Sequence, residues 1–449
     1  MNKREIITSW GRYPRSACLL TRPERYAMLI PSDDICIARG QGRSYGDCAL
    51  NTEHSVILTE RVNRLLSFDD KRGILRAEAG VTLAELLEVF VPRGWFLQVT
   101  PGTKHVSLGG CIAADVHGKN HHHDGTFSSS LLEIELVLAD GSYRRCSPAK
   151  DPELFWATVG GMGLTGIITE ATLKLRPVET AYIVARHYGA RDLDETIRFL
   201  DEAHWDDKYT VAWIDCLVKG GQMGRSIVMA GHHAIPEDLP TTVRSPLIAE
   251  KRGERNLHFD LPKGILNSWT VKAFNNIYYR LQSSKKGAFI TDYDHFFYPL
   301  DGIGNWNRMY GKRGFIQYQC VIPLAHSLQG LKLLLEELTG SRRPSFLAVL
   351  KRMGKEGPGL LSFPDEGYTL AIDIPLTDPE VFPFLDRLDD IVLKHGGRIY
   401  LAKDARLREE TFRAMYPRLS EWQKQKNAVD PDSRFASDMS RRLGMAGFP

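Results

Sequence analysis

Gln317 and Gln319, in Phe315-Ile316-Gln317-Tyr318-Gln319, are set two apart on an otherwise apolar stretch. Side chains alternate across a strand, so both amides face one side. A core would leave them costly and unsatisfied, whereas sugar hydroxyls would pair with them. Two lysines stand in comparable surroundings. Lys351, in Val349-Leu350-Lys351-Arg352, is placed to pair a phosphate, with a solvent-facing charge as the alternative. Lys403, in Tyr400-Leu401-Ala402-Lys403-Asp404, would lose basicity if drawn out of water or set beside other cations. It could then take a hydroxyl proton or hold an alkoxide by charge. A salt bridge to Asp404 or Asp373 is its structural alternative. Tyr45 and Trp213 would complete an aromatic wall, unless both are core.

Three glycine-rich loops, each beside a strand, occur between residues 40 and 166. The first reads Gly40-Gln41-Gly42-Arg43-Ser44-Tyr45-Gly46-Asp47. The second carries Gly102-Thr103, then Ser107-Leu108-Gly109-Gly110, Ala113-Ala114 and His117-Gly118-Lys119-Asn120-His121-His122-His123. The third, Gly160 to Gly166, runs into Ile167-Ile168. Loops that offer amides without side chains in the way suit phosphate oxygens and planar rings. The first is not a Walker loop, lacking the G-K-[ST] ending, and its third glycine falls one residue late for a dinucleotide G-x-G-x-x-G. Three such loops exceed what one phosphate needs and fit a long cofactor laid across a domain. A glycine turn followed by a solvated polar loop is the alternative for the second loop alone. The histidine run lacks a carboxylate or cysteine at ligand spacing, so no metal site is expected.

The elements that would position these residues alternate in type, which predicts an α+β fold. Strands are expected at 34–38, 55–59, 73–77 and 131–138, with a hairpin turn at Asp140-Gly141 and a further strand ending near Leu175. Helices are expected at 82–91 and 151–156. Further on, 210–217, 315–322 and 398–401 read as strands, and 327–338 and 381–394 as helices. Residues 233–290 show little periodicity and read as a mobile loop over the site. At 43% hydrophobic and 25% charged, 449 residues suffice for two or three domains. A net charge of +3 is too small to argue for nucleic acid or strong membrane attraction. Seven scattered cysteines with no C-x-x-C pair predict reduced thiols and no zinc. The first twenty residues lack a signal-type apolar core, and no run approaches the roughly 20 apolar residues that span a bilayer. A cytoplasmic protein is expected, with peripheral membrane contact left open.

The motifs GQGRSYGD, PGT…SLGGCIAADVHGKNHH and GGMGLTGII resemble the flavin-binding domain of the vanillyl-alcohol oxidase / PCMH flavoprotein superfamily. GNWNRMYGKRGFIQYQCVIP, SFLAVLKRMG, GGRIYLAKDAR and FASDMSRRL narrow the resemblance to its decaprenylphosphoryl-β-D-ribose 2′-oxidase branch, from about Trp10 to Leu443. The resemblance implies a PCMH-type two-subdomain FAD-binding domain, residues 1–180 with a C-terminal return segment 398–449. An antiparallel-sheet substrate domain, 181–397, would be inserted between them. It implies FAD bound by Gly40, Gln41, Gly42, Arg43, Ser44, Tyr45, Gly46, Gly102, Thr103, Ser107, Gly109, Gly110, Ala114, His117, Gly118, Ile168 and Tyr400. Where relatives that attach FAD covalently carry a histidine, this chain has Arg43, so the flavin is expected to be non-covalent.

The same resemblance implies catalysis by Lys403, His117, Tyr45 and Gln319, with His117 beside the flavin; a purely structural histidine is the alternative. Substrate would be held by Lys119, Trp213, Gln317, Gln319, Lys351, Thr369 and Lys403. One departure concerns Tyr368-Thr369-Leu370-Ala371-Ile372-Asp373: Ala371 stands where mycobacterial members carry a cysteine, and Thr369 where an asparagine is usual. Three functions compete. The first is 2′-oxidation of a polyprenyl-phosphoryl ribose, completed to an epimerisation by a separate short-chain reductase. The second is oxidation of a free alditol or sugar-1,4-lactone, and the third a flavin-fold binding protein without catalysis.

Overall fold

The computed structural model describes residues 3–24, 35–249, 253, 255–262, 264–265, 267–341, 343, 345 and 347–445. Its mixed helices and sheets agree with the α+β expectation. The N-terminal part carries two main sheets and a short pair, Trp95–Phe96 with Arg176–Pro177. A four-stranded one orders Lys3–Thr8, Arg15–Thr21, Ser55–Leu58 and Cys36–Arg39. Ser55–Leu58 is buried along its whole length and parallel to both neighbours, which is why it reads as an unbroken apolar run. A five-stranded sheet orders Leu65–Asp69, Ile74–Glu78, Ile167–Lys174, Leu131–Val137 and Tyr143–Cys146. The Asp140-Gly141 turn closes its last hairpin, with Gly141 at φ 81°. The helix Leu83–Phe90 begins in a capping box, Glu85 N–H donating to Thr82 Oγ1 at 3.2 Å and Thr82 N–H to Glu85 at 2.7 Å. It buries Leu83, Leu86, Leu87 and Phe90 against this sheet's core.

Eight of the strands after residue 180 form one sheet, while Arg255–Asn256 and Ile303–Gly304 pair separately. The eight are β1 (Tyr182–Ala190), β2 (Tyr209–Ile214), β3 (Ser226–His233), β4 (Ala288–Asp292), β5 (Phe315–Pro323), β6 (Ala348–Met353), β7 (Gly367–Pro375) and β8 (Arg398–Ile399). Their spatial order is β4-β1-β3-β2-β6-β7-β5-β8, antiparallel at every junction. Register pairs Gln319 with Ala371 and Ala371 with Val349, while Lys351 lies opposite Thr369 and Gln317 opposite Asp373. With a side-chain period of two, these residues share one face. Tyr318, Cys320, Leu350, Leu370 and Ile372 share the other. Helices α1 (Leu193–Asp206), α3 (Ser327–Ser341) and α4 (Val381–Lys394) close that second face with Leu200, Leu331, Leu335, Leu385 and Leu388; between α1 and α3 in the chain lies α2 (Ser268–Ser283).

Four expectations change. The strand expected at 398–401 is only β8, because Lys403 N–H and Asp404 N–H both donate to Tyr400 O and turn the chain. The strand expected at 34–38 is Cys36–Arg39, Asp34 lying outside the described residues. The helix expected at 151–156 runs Pro152–Thr158, with Asp151 as its N-cap. Residues 233–290 do not form one loop: apart from 250–252, 254, 263 and 266, which lie outside the described residues, they hold α2 and β4. The helical period of α2 is hidden because apolar residues stand on both its sides. The chain's last segment returns to the first sheet, Cys36 N–H donating to Arg434 O at 2.7 Å and Ala436 N–H to Cys36 O at 3.0 Å. Arg442 bridges Asp47 at 2.7 Å and Asp404 at 2.8 Å.

Candidate active site

The polar face of the large sheet meets the glycine loops. The loop 40–46 is wedged between neighbours that leave no room for a side chain. A Cβ at Gly40 would lie 2.0 Å from Ser107 Oγ, and one at Gly46 1.5 Å from the Asp404 carbonyl oxygen. Tyr45 N–H donates to Ala402 O at 3.0 Å, tying this loop to the turn that carries Lys403. Ser107 caps the helix Leu108–Ala113 by accepting from Gly110 N–H at 3.3 Å. Ala114 O, just after it, accepts from Tyr400 Oη at 2.9 Å. Gly118 lies against the Thr100 backbone.

His117 is buried, and its ring lies 5.2 Å from that of Tyr400 and 5.5 Å from that of Phe363. The Gln319 amide donates to His117 Nε2 at 3.0 Å and to Thr369 Oγ1 at 3.1 Å. Thr369 in turn donates to Cys320 O at 2.8 Å. Because an amide NH2 only donates, Nε2 must accept, which places the imidazole proton on Nδ1. Burial, then the charge of Lys351, holds His117 well below the usual histidine range, so it is neutral. Nδ1 is a buried donor without a partner among the described residues.

Beside this chain stands a second network. Asp373 accepts from Gln317 Nε2 at 2.6 Å and from Tyr310 Oη at 2.9 Å, and burial pushes its carboxyl up to about 7. Lys403 Nζ lies 3.8 Å from the centre of the Tyr45 ring. Burial lowers its ammonium to about 7, against the opposing pull of Asp373. Burial also lowers Lys351 to about 8. Among the described residues neither lysine forms an ion pair: Asp404 is committed to Arg442, and Asp373 to Gln317 and Tyr310. The face therefore carries two partly buried cations, an acid near neutrality and an ordered row of amide donors.

The residues expected from sequence are not all here. Tyr45, His117, Gln317, Gln319, Lys351, Thr369, Tyr400 and Lys403 come together. Burial, then the nearby charge of Lys351, lowers Lys119 to about 7. Its ammonium, however, is engaged by Phe296 O and by Phe297 O at 3.2 Å, over both rings. Trp213, on β2, stands farther along the same face with its ring 4.8 Å from Tyr278. The Ile168 side chain packs in the core of the five-stranded sheet. Sequence reasoning gave no role to Tyr310 or Phe363 and saw Asp373 only as a salt-bridge partner. An acid within the apolar run of β7 was the available signal for Asp373.

The loops fit an FAD. No backbone hydrogen bond ties the amides of Gln41, Gly42, Arg43 and Ser44 to the protein among the described residues. A Cβ at Gly102 would meet nothing within 4 Å. With the unpartnered His117 Nδ1–H, these are open donors and open space where a pyrophosphate and a planar ring need them. Among the described residues no group of three His, Cys, Asp or Glu could hold a metal ion.

The family model of an FAD binding domain matches residues 33–147, and that of D-arabinono-1,4-lactone oxidase matches residues 370–443. The chain is 40% identical over 410 residues to decaprenylphosphoryl-β-D-ribose oxidase of Mycolicibacterium smegmatis, covering 91% of this chain and 88% of that one. It is 35% identical to an uncharacterized protein of Streptomyces coelicolor, covering 81% of this chain and all of the other. D-arabinono-1,4-lactone oxidase of Yarrowia lipolytica is 27% identical over 39% of this chain and 33% of its own length.

Proposed function

Because the chain belongs to the decaprenylphosphoryl-β-D-ribose oxidase family of FAD-dependent oxidases, we propose that it oxidises the C2′ hydroxyl of a polyprenyl-phosphoryl β-D-ribose to the 2′-keto sugar. It is an FAD-dependent oxidoreductase acting on CH–OH groups, which removes the non-catalytic alternative. On this reading a separate short-chain reductase completes the epimerisation to the arabinose form. The observation that carries the proposal is the pair of lysines, Lys351 on the polar sheet face and Lys403 on the turn beside it, with no ion-pair partner among the described residues.

FAD, when bound, supplies the hydride acceptor. The residues of the 40–46 and 102–118 loops, with Tyr400, would hold it in a PCMH-type domain of residues 1–180 and 398–449; Ile168 could contribute only its backbone. Residues 181–397 would hold the sugar. Lys403, lowered to about 7, accepts the hydroxyl proton at Nζ as its free amine, and Asp373 then faces the resulting ammonium. Gln319, fixed by His117 and Thr369, has its NH2 committed and offers its carbonyl oxygen to a sugar hydroxyl. Lys351 supplies the positive charge that a phosphodiester needs when it leaves water. Ala371 and Thr369 shape the same row without removing the base.

FAD would be non-covalent: Arg43 occupies the usual attachment place and lies 4.0 Å over the Trp10 ring. Acid or heat denaturation should release the flavin, and flavin left on the chain would contradict this. The substrate class is tested by anaerobic flavin bleaching with pentosyl phosphates and free sugars. Faster bleaching by the phosphorylated sugars supports the proposal. The lactone-oxidase match over residues 370–443, which contain both Asp373 and Lys403, favours a free sugar lactone as the second reading, and equal rates on free sugars would select it.

A further inference from the structure

Helix α2 is pinned on its inner side. Asn275 Nδ2 donates to Asp215 at 2.8 Å, Arg225 donates to Asn276 at 2.6 Å, and Tyr279 Oη donates to Ala190 O at 3.2 Å. Its outer side has no cover among the described residues. Trp269 is 84% exposed, Phe274 49%, Ile277 60% and Leu281 62%, with Ile265 at 44% on the turn before it. At 3.6 residues per turn, positions 269, 273, 274, 277 and 281 form one strip. Lys272, Arg280, Lys285 and Lys286 stand exposed around it, and residues 262–286 contain no Asp or Glu. An apolar strip of this size marks an interaction surface; on the other described α-helices the one large apolar side chain exposed to a similar degree is Leu328 at 41%.

We propose that α2 is a docking surface for an anionic lipid bilayer, lying in the headgroup plane with Trp269, Phe274, Ile277 and Leu281 inserted. Three observations select a membrane over a protein groove. A tryptophan at the outer end of the strip suits the water–lipid boundary. Charges of one sign around an apolar face match anionic headgroups. The strip also leads to the active site: Phe274 stacks at 5.9 Å on Tyr278, whose ring lies 4.8 Å from Trp213. Trp213 is paired in register with Val349, two residues from Lys351 on the same sheet face. A docked α2 therefore presents the edge of the site to the bilayer. That purpose rests on the lipid-phosphoryl substrate reading; the docking itself does not.

The test is flotation of the FAD-loaded protein with vesicles of phosphatidylcholine alone and with equal parts phosphatidylglycerol. The wild type should float with the anionic vesicles and less so at high salt. Ile277→Glu/Leu281→Glu should lower partitioning at least about tenfold while FAD content and bleaching by a soluble sugar phosphate stay at wild-type levels. Lys272→Gln/Arg280→Gln should lose the preference for anionic lipid while keeping its fold. A wild type that floats with neither vesicle, or a glutamate variant that floats like wild type, overturns the proposal. So does a dimer in sedimentation that the glutamate variant splits, since the strip would then cover a second copy. Flotation with no preference for phosphorylated sugars leaves docking standing and removes the lipid-phosphate substrate instead.

Discussion

On one face of the eight-stranded sheet, Tyr318, Cys320, Leu350, Leu370 and Ile372 are buried beneath α1, α3 and α4. On the other, one residue along each strand, stand Gln317, Gln319, Lys351, Thr369 and Asp373. The first face needs only apolar area and close packing. The second takes polar groups out of water, and most are matched: Gln319 with His117 and Thr369, Asp373 with Gln317 and Tyr310. What stays unmatched among the described residues is Lys351, Lys403 and His117 Nδ1. The contrast gathers the two open cations and the open imidazole donor on the polar side of the sheet.

The two faces should therefore fail differently when mutated. The largest effect is expected on the packed face. Leu370→Ala should lower stability by about 2–5 kcal/mol, read by thermal or denaturant unfolding, with turnover per bound FAD unchanged. A loss of turnover without loss of stability would erase the distinction between the faces. Next comes Lys403→Ala, which should keep the flavin spectrum and stability but lose at least about two orders of magnitude in turnover, about 2.7 kcal/mol of barrier. Normal turnover would make Lys403 structural. Smaller again is Lys351→Ala, expected to raise KM for a phosphorylated sugar about tenfold, the size of one charge-assisted contact, and to leave free sugars untouched. An equal effect on both would dissociate Lys351 from phosphate.

The same contrast explains what sequence could and could not reveal. Period-two alternation in 315–322 was enough to put Gln317 and Gln319 on one side, and the glycine loops were local enough to read directly. Lys403 was legible as a lysine in an apolar run, but its turn was not, because Tyr400 O accepts from both Lys403 and Asp404 only in the folded chain. Lys119 was expected to hold substrate, and no sequence signal said otherwise, because the carbonyls that engage it belong to Phe296 and Phe297, far along the chain. Tyr310 lies in a short helical turn without periodicity, so its bond to Asp373 had no sequence signature. Helix α2 was missed because an apolar outer strip erases the amphipathic pattern by which surface helices are recognised.

The central claim, that Lys403 is the base on the polar face, is tested most directly by the pH dependence of anaerobic flavin reduction by substrate. Burial has lowered its ammonium to about 7, so the free amine prevails above that pH and is lost below it. The rate should rise as pH passes through about 7 and then level. Asp373 raises the Lys403 value, so Asp373→Asn should move the inflection to lower pH, and Lys403→Ala should abolish it. An inflection that persists unmoved in both variants would contradict the assignment and place the base elsewhere.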